Sequence, residues 1–308
     1  MIMDIDQLLT EQSVNPDVSL EEFWEDLECL MEILRECYGG YEYFGAANFV
    51  TARDTVASEI RTDFDFHRAA ESVKRHFGTV ARDGHFCVGS EKGESAQSDY
   101  AVRFEEWNGI PVIDCKRFWY ENEAEKEELE AFVKSAAGYR NEEPLILDLR
   151  DNPGGSDVYI YDFIKGLFGV EPCYSCRFIQ RYSPLFREYL KRQGIPGRYD
   201  GAVEITEDDL VPINSRKPVY VLVNEKTCSS GESAVAYLKT VSSAVIVGER
   251  TGGAFSFGNC VRVWLPNSHL PVYFGTGMVL YEKTRNIDAE GGFRGEISME
   301  EFEKRLEL

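Results

Sequence analysis

The sequence predicts an α/β protein: a helical N-terminal unit over residues 1–80, then a mixed, twisted β-sheet core flanked by helices over 81–308. Three observations carry this. Leu145, Ile146, Leu147 and Leu149 form an almost wholly apolar run, the pattern of a strand buried on both faces, and Asn152-Pro153-Gly154-Gly155 stops it. Residues 218–224 and 244–248 repeat that pattern, with a helical stretch through Leu238 between them. The first 80 residues instead carry their apolar positions at helical spacing.

In chain order, residues 1–18 read as a polar lead. Ser19 and Glu22 form a capping box, and Phe23, Leu27, Leu30, Met31 and Leu34 follow at helical spacing until Gly39-Gly40. Two more helical stretches cover about 46–61 and 65–77, the last closed by Phe77-Gly78. His85 follows Asp83-Gly84 and leads into the apolar Phe86-Cys87-Val88, so it stands at a turn–strand junction. After a polar loop over 90–98, residues 102–114 read as a hairpin turning at Asn108-Gly109. Residues 123–137 form a charged amphipathic helix, and 159–168 a helix packed on the sheet. Residues 171–217 are irregular, aromatic and basic, which reads as a lid packed on itself or as one wall of a cleft. Residues 259–281 alternate as hairpin strands do, and Ser298 with Glu301 caps a short acidic helix at the end.

With 43% hydrophobic and 28% charged residues, the composition is that of a globular protein. No apolar run approaches the roughly 20 residues of a membrane helix, so membrane partners are not expected. A net charge of −21 disfavours nucleic acid and anionic membrane surfaces. The acidic N-terminus lacks a basic n-region, and eight cysteines without such a signal point to reduced thiols and a cytoplasmic location. Cys173-x-x-Cys176 is a lone pair and no other set has metal-ligand spacing, so no metal and no cofactor are expected. The Gly-Gly turns fit neither a Walker A nor a G-x-G-x-x-G spacing, which argues against nucleotide binding.

The chemistry concentrates after the second buried strand, in Glu225-Lys226-Thr227-Cys228-Ser229-Ser230-Gly231-Glu232. There Ser229 opens a helix, with its hydroxyl exposed and helix N–H groups aimed at whatever it attacks. The simpler role for such a serine is a helix cap.

The strand Asp148-Leu-Arg-Asp-Asn-Pro-Gly-Gly155, the Ser229-x-x-Glu232 turn and the strand Val247-Gly-Glu-x-Thr-x-Gly253, taken together and in this order, resemble the core of the S41 serine peptidases. This family holds the C-terminal processing (tail-specific) proteases and the tricorn protease. The resemblance implies a ClpP/crotonase-like core and a serine endopeptidase acting on peptides or unfolded protein tails through an acyl-enzyme. It makes Ser229 the nucleophile, with oxyanion donors from the Ser230 amide and from Gly154 or Gly155. In the processing proteases a lysine follows the Ser-x-x-Glu glutamate by 22 residues; Ala254 stands there, and no lysine occurs between Lys239 and Lys283. The tricorn-like branch uses a histidine from an Asp-x-His motif, which His85 matches, and an acid from a late segment. That late segment, residues 286–297, resembles Glu-Gly-x-Gly-Val-x-Pro-Asp-Ile, with Gly295-Glu296 in place of Pro-Asp. Asp288 is the first choice for the acid that orients His85, and Glu290 the second. The 63 residues from His85 to Asp148 leave no room for the PDZ domain that many relatives insert. A histidine near its reference pKa of about 6.5 implies a rate rising through about pH 6–7 and then levelling. The rival is a catalytically inactive S41-fold protein that binds peptides or apolar ligands in the same cleft.

Overall fold

The structure, a computed structural model, describes residues 4–89, 98–172, 176–195, 201–208, 217–281 and 291–308. In chain order its elements are α1 (Ile5–Leu8), α2 (Leu20–Cys37), α3 (Ala46–Ile60), α4 (Phe66–Val80), β1 (Cys87–Val88), β2 (Val102–Trp107), β3 (Ile110–Cys115), α5 (Glu123–Ser135), β4 (Leu145–Asp148), α6 (Asp157–Phe168), β5 (Cys176–Arg181), α7 (Pro184–Arg192), β6 (Val203–Asp208), β7 (Val219–Val223), α8 (Ser230–Val241), β8 (Val245–Gly248), β9 (Phe257–Trp264), β10 (Pro271–Tyr281) and α9 (Met299–Leu306). They fall into two compact units. One comprises Met1–Gly93, Arg177–Thr206 and Ser256–Leu280, and the other Glu94–Cys176, Glu207–Phe255 and Tyr281–Leu308.

In the first unit α2 begins at the expected capping box. The Ser19 hydroxyl accepts the Glu22 amide at 3.2 Å, and the Glu22 carboxylate accepts the Ser19 amide at 2.7 Å. Its apolar face, Phe23, Leu27, Leu30, Ile33 and Leu34, is buried with Phe49 of α3, Phe66 and Phe77 of α4, and Val261, Val263, Val272 and Phe274 of β9 and β10. The helices of the first 80 residues thus share one core with strands from much later in the chain. Helix α4 runs through Gly78 to Val80, past the expected stop at Phe77-Gly78, and ends where the Ala81 amide donates to the Phe77 carbonyl. The sheet of this unit runs β1-β10-β5-β6, with β9 paired to β10.

Residues 171–217, expected to be irregular, carry regular structure among the described residues: β5, α7 and β6. Helix α7 has a start signal that the aromatic and basic character of the stretch obscured. Ser183 accepts the Phe186 amide at 3.1 Å and Pro184 takes the first helical position.

The second unit is built on a mixed sheet ordered β2-β3-β4-β7-β8. β2 and β3 are antiparallel, and Asn108 (φ 48°) and Gly109 (φ 80°) make the turn between them, both with the positive φ that a tight hairpin requires. β3, β4, β7 and β8 are parallel. β4 is buried at every position, as its apolar run requires. The carboxyl ends of these parallel strands therefore lie on one sheet edge, where open α/β sheets place their ligand sites. Helices α5 and α6 pack together through stacked Phe132 and Phe163, 4.2 Å between ring centroids. At the other side of the sheet, residues 294–297 extend the β8 edge: Ile297 bridges Val247, and the Gly248 amide donates to the Ile297 carbonyl.

Candidate active site

The turns after β4 and β7 are tied to each other at that edge. The Leu149 amide donates to the Leu222 carbonyl, the Thr227 hydroxyl to the Leu149 carbonyl at 2.7 Å, and the Cys228 amide to the Asn152 carbonyl at 2.9 Å. Asp151 and Asn224 exchange two bonds, with the Asp151 amide and the Asn224 side chain as donors. Asn152 is fully buried. Its side chain donates to the Cys115 carbonyl and accepts the Gly154 amide at 2.8 Å, which fixes the Asn-Pro-Gly-Gly turn. The buried Asp148 carboxylate grips Arg150, so the Asp-Leu-Arg triplet is an internal ion pair.

Ser229 sits at the junction of this turn and α8 with φ 50° and ψ −120°. A non-glycine residue in this region is strained by about 1–3 kcal/mol, and such strain persists where the surroundings over-determine it. Here the surroundings are Gly154 and Glu232. A Cβ on Gly154 would lie 2.7 Å from the Ser229 Cβ and 2.9 Å from the Ser230 amide nitrogen. Only a glycine lets the two turns approach so closely. Gly155 (φ 131°) has no room either, since a Cβ there would run into the backbone of Phe118. The Phe118 amide donates to the Gly154 carbonyl and Phe118 accepts the Ser156 amide, so the Gly155 amide points away from that pairing and has no partner among the described residues. The Gly154 amide is held by Asn152. The Ser230 hydroxyl donates to the Gly155 carbonyl at 2.9 Å, tightening the same corner, and the Ser233 hydroxyl donates to Asp157 at 3.3 Å. Substituting Gly155 by alanine should cost more than 3 kcal/mol through this clash and the positive φ, seen as a fall in thermal midpoint; an unchanged midpoint would remove the close-packing account.

Glu232 is fully buried and accepts four donors: the Thr251 hydroxyl at 2.6 Å, the Ala254 amide at 2.7 Å, the Gly253 amide at 2.9 Å and the Ser229 amide at 3.2 Å. Burial raises its pKa against the pull of these donors. One carboxylate thus joins the Ser229 turn to the segment after β8. Ala254, at the position of the family lysine, is 2% exposed and supplies its backbone to this cluster. The late segment braces the same place. The Phe293 amide donates to the Thr251 hydroxyl and the Thr251 amide to the Phe293 carbonyl. Glu296 accepts the Ile246 amide and pairs with Lys239, both at 2.8 Å, which gives the Gly295-Glu296 departure a structural role. Asp288 and Glu290 lie outside the described residues.

Ser229, Ser230, Gly154 and Gly155 are therefore brought together in the second unit, and His85 belongs to the first. His85 stands at the turn before β1, where the Asp83 carboxylate accepts its backbone amide at 2.8 Å and lies 3.3 Å from its Nδ1. Burial works against a charged ring there. The hydrogen bonds with Asp83 and Cys260 outweigh it and push the His85 pKa up to about 10. The ring thus departs upward from the expected value near 6.5, with the Asp83 carboxylate two residues back as its nearest charged partner. Asp83, two residues before His85, is an acid beside it that the sequence reading passed over. Its signal was the Asp-x-His spacing itself, since an aspartate readily binds a backbone amide two residues on. Among the described residues no group of three or more His, Cys, Asp or Glu side chains could hold a metal ion, and no helix is long and apolar enough to cross a membrane.

Comparison with solved structures places this arrangement in a known fold. A lipoprotein from Streptococcus agalactiae aligns with a TM-score of 0.55 and 14% identity, over 96% of this chain and 99% of that one. Mature CPAF complexed with lactacystin aligns at 0.61 and 13%, over 91% and 94%. The photosystem II D1 C-terminal processing protease aligns at 0.50 and 14%, over 92% and 94%. No curated protein sequence matches the chain. The profile of peptidase family S41 matches residues 109–296, a span that takes in the buried strand, the Gly154-Gly155 turn, Ser229 and the late brace. By that match over more than half its length, this chain belongs to peptidase family S41.

Proposed function

We propose that this chain is a serine endopeptidase that cleaves peptides or unfolded protein tails through an acyl-enzyme. The observation that carries the reading is the strained Ser229, held at the N-terminus of α8 against Gly154 and clamped by Glu232. Ser229 attacks the scissile carbonyl, and the Ser230 and Gly155 amides receive the developing oxyanion. Gly154, whose amide is spent on Asn152, shapes the hole. His85 takes the serine proton, oriented by a carboxylate for which Asp288 remains first choice, Glu290 second, and Asp83 the one seen beside the ring.

A base must be unprotonated to work. With the His85 pKa raised to about 10, the working form accumulates only as pH approaches that value. Hydrolysis should therefore climb with pH well beyond 7 and level near 10, measured as kcat/KM on an unfolded substrate; a plateau already at pH 7 would refute this. The test of the reading as a whole is fluorophosphonate labelling followed by peptide mapping, with burst release from an activated ester. Ser229 should carry the label. An unlabelled Ser229 in folded protein, with no burst, would favour a peptide-binding protein of the same fold, the reading that the buried Ala254 at the lysine position supports.

A further inference from the structure

Asp157 opens α6, yet its side chain does not serve that helix alone. The N-cap, Ser156, makes no side-chain cap bond, and the Asp157 carboxylate turns to α8, where it accepts the buried Ser233 hydroxyl at 3.3 Å. An acid in a first turn ordinarily complements the helix dipole. That role asks for no partner on a second helix.

The contact places a carboxylate beside Ser229, within the second unit. Ser233 follows Ser229 by four residues, and its amide donates to the Ser229 carbonyl at 2.9 Å, closing one turn of α8. Side chains so spaced stand about 5–6 Å apart. The Ser230 hydroxyl, bonded to the Gly155 carbonyl at 2.9 Å, ties the start of α8 to the segment that leads into α6, so the spacing is held from both sides. One turn further along each helix, four residues after Asp157 and after Ser233, Tyr161 and Tyr237 meet edge to face with ring centroids 5.9 Å apart, both half-buried.

Asp157 is also short of positive charge. The residue keeps open surface. Protein crowded around the carboxyl raises its pKa, and the Ser230 and Ser233 hydroxyls pull the other way. Among the described residues no lysine, arginine or histidine pairs with it. Two other carboxylates of this unit that pack against protein each hold an arginine: Asp148 holds Arg150 and Glu125 holds Arg117. An accessible carboxylate without a cation, next to an aromatic pair, suits the charged head of an arginine or lysine side chain, which pairs with the carboxylate and lies against a ring.

We propose that Asp157, with Tyr161 and Tyr237, forms a specificity subsite that takes an arginine or lysine side chain of a bound peptide. At about 3.3–3.6 Å per extended residue, the spacing from Ser229 puts that side chain about one or two residues from the bond under attack. The proposal rests on the peptidase reading for cleavage at Ser229, and on Asp157 alone for its preference.

The test compares unstructured peptides of one sequence, each with a single arginine or its neutral isostere citrulline stepped through the positions around the cleaved bond. At the best position kcat/KM should favour arginine at least about 10-fold, mostly through KM; Asp157→Asn should bring the pair within about 2-fold, and Asp157→Glu should restore part of the preference. Equal cleavage of both peptides at every position, or a preference that survives in folded Asp157→Asn, would overturn the subsite. If nothing is cut, binding decides. The same peptides, fluorescently labelled and titrated against Ser229→Ala by anisotropy, should show the same preference and the same loss when Asp157→Asn is added. Binding without that preference, or no binding at any position, would overturn the proposal. A Ser229 that takes no fluorophosphonate label while the preference in binding persists would end the peptidase reading and uphold the subsite.

Discussion

Ser229→Ala should abolish peptide hydrolysis, by three orders of magnitude or more, while the protein stays folded. Removing the attacking atom of an acyl-transfer site leaves only the contribution of the oxyanion donors and of binding, which is why such losses are large and do not add with other changes in the same site. The fold should survive because alanine keeps the Cβ that packs beside Gly154, and at most a helix cap worth about 1 kcal/mol is lost. The backbone strain at φ 50° is the same for alanine as for serine, so it does not enter the difference. The measurement is cleavage of denatured casein with thermal unfolding alongside. Cleavage by the variant at the parent rate would end the assignment of Ser229.

Glu232→Ala should be the most damaging single change to stability at this edge. It strips the acceptor from four donors at once, the Thr251 hydroxyl and the Ser229, Gly253 and Ala254 amides, in a place without solvent to replace it. Losses of this kind are on the order of 3–5 kcal/mol. The thermal midpoint should fall by roughly 10 °C for a chain of this size. Glu232→Gln should recover part of the loss, because one carboxamide oxygen still accepts while the amide nitrogen meets donors. A Glu232→Ala protein within 1 kcal/mol of the parent would mean that the four bonds are replaced from elsewhere.

Much of the second unit was legible because its signals are local. The buried strand at 145–149, the hairpin at Asn108-Gly109 and the helix opening at Ser229 are each written within a few neighbouring residues. The capping box at Ser19 and the helix cap at Ser298 are local in the same way. What escaped is what the chain assembles from afar. Residues 176–208 look irregular in isolation because β5 and β6 take their partners from the sheet built on β10, and their alternation is blurred by mixed burial. The neighbourhood of His85 escaped for the same reason. Asp83 was within sight, but Cys260 and Tyr273 arrive from β9 and β10, and no spacing rule links them to a histidine at the start of β1. The electrostatic state of such a residue is set partly by distant partners, which is why its raised pKa was not legible from the Asp-x-His motif.

The late brace constrains how this chain could be recombined with its relatives. A Cβ at Gly295 would run into the Gly248 carbonyl, and the Gly295 amide donates to the Glu249 carbonyl at 2.9 Å. Installing the family's Pro-Asp at 295–296 would therefore drive a ring into β8 and delete that bond, while an aspartate at 296 would be one methylene short of the reach that Glu296 uses for Ile246 and Lys239. The departure from the family pattern is a matched set spread over 239, 246–249 and 295–296. A chimera that imports a relative's tail has to import the strand it rests on, and a consensus repair of the tail alone would yield a less stable protein than the sequence it set out to mend.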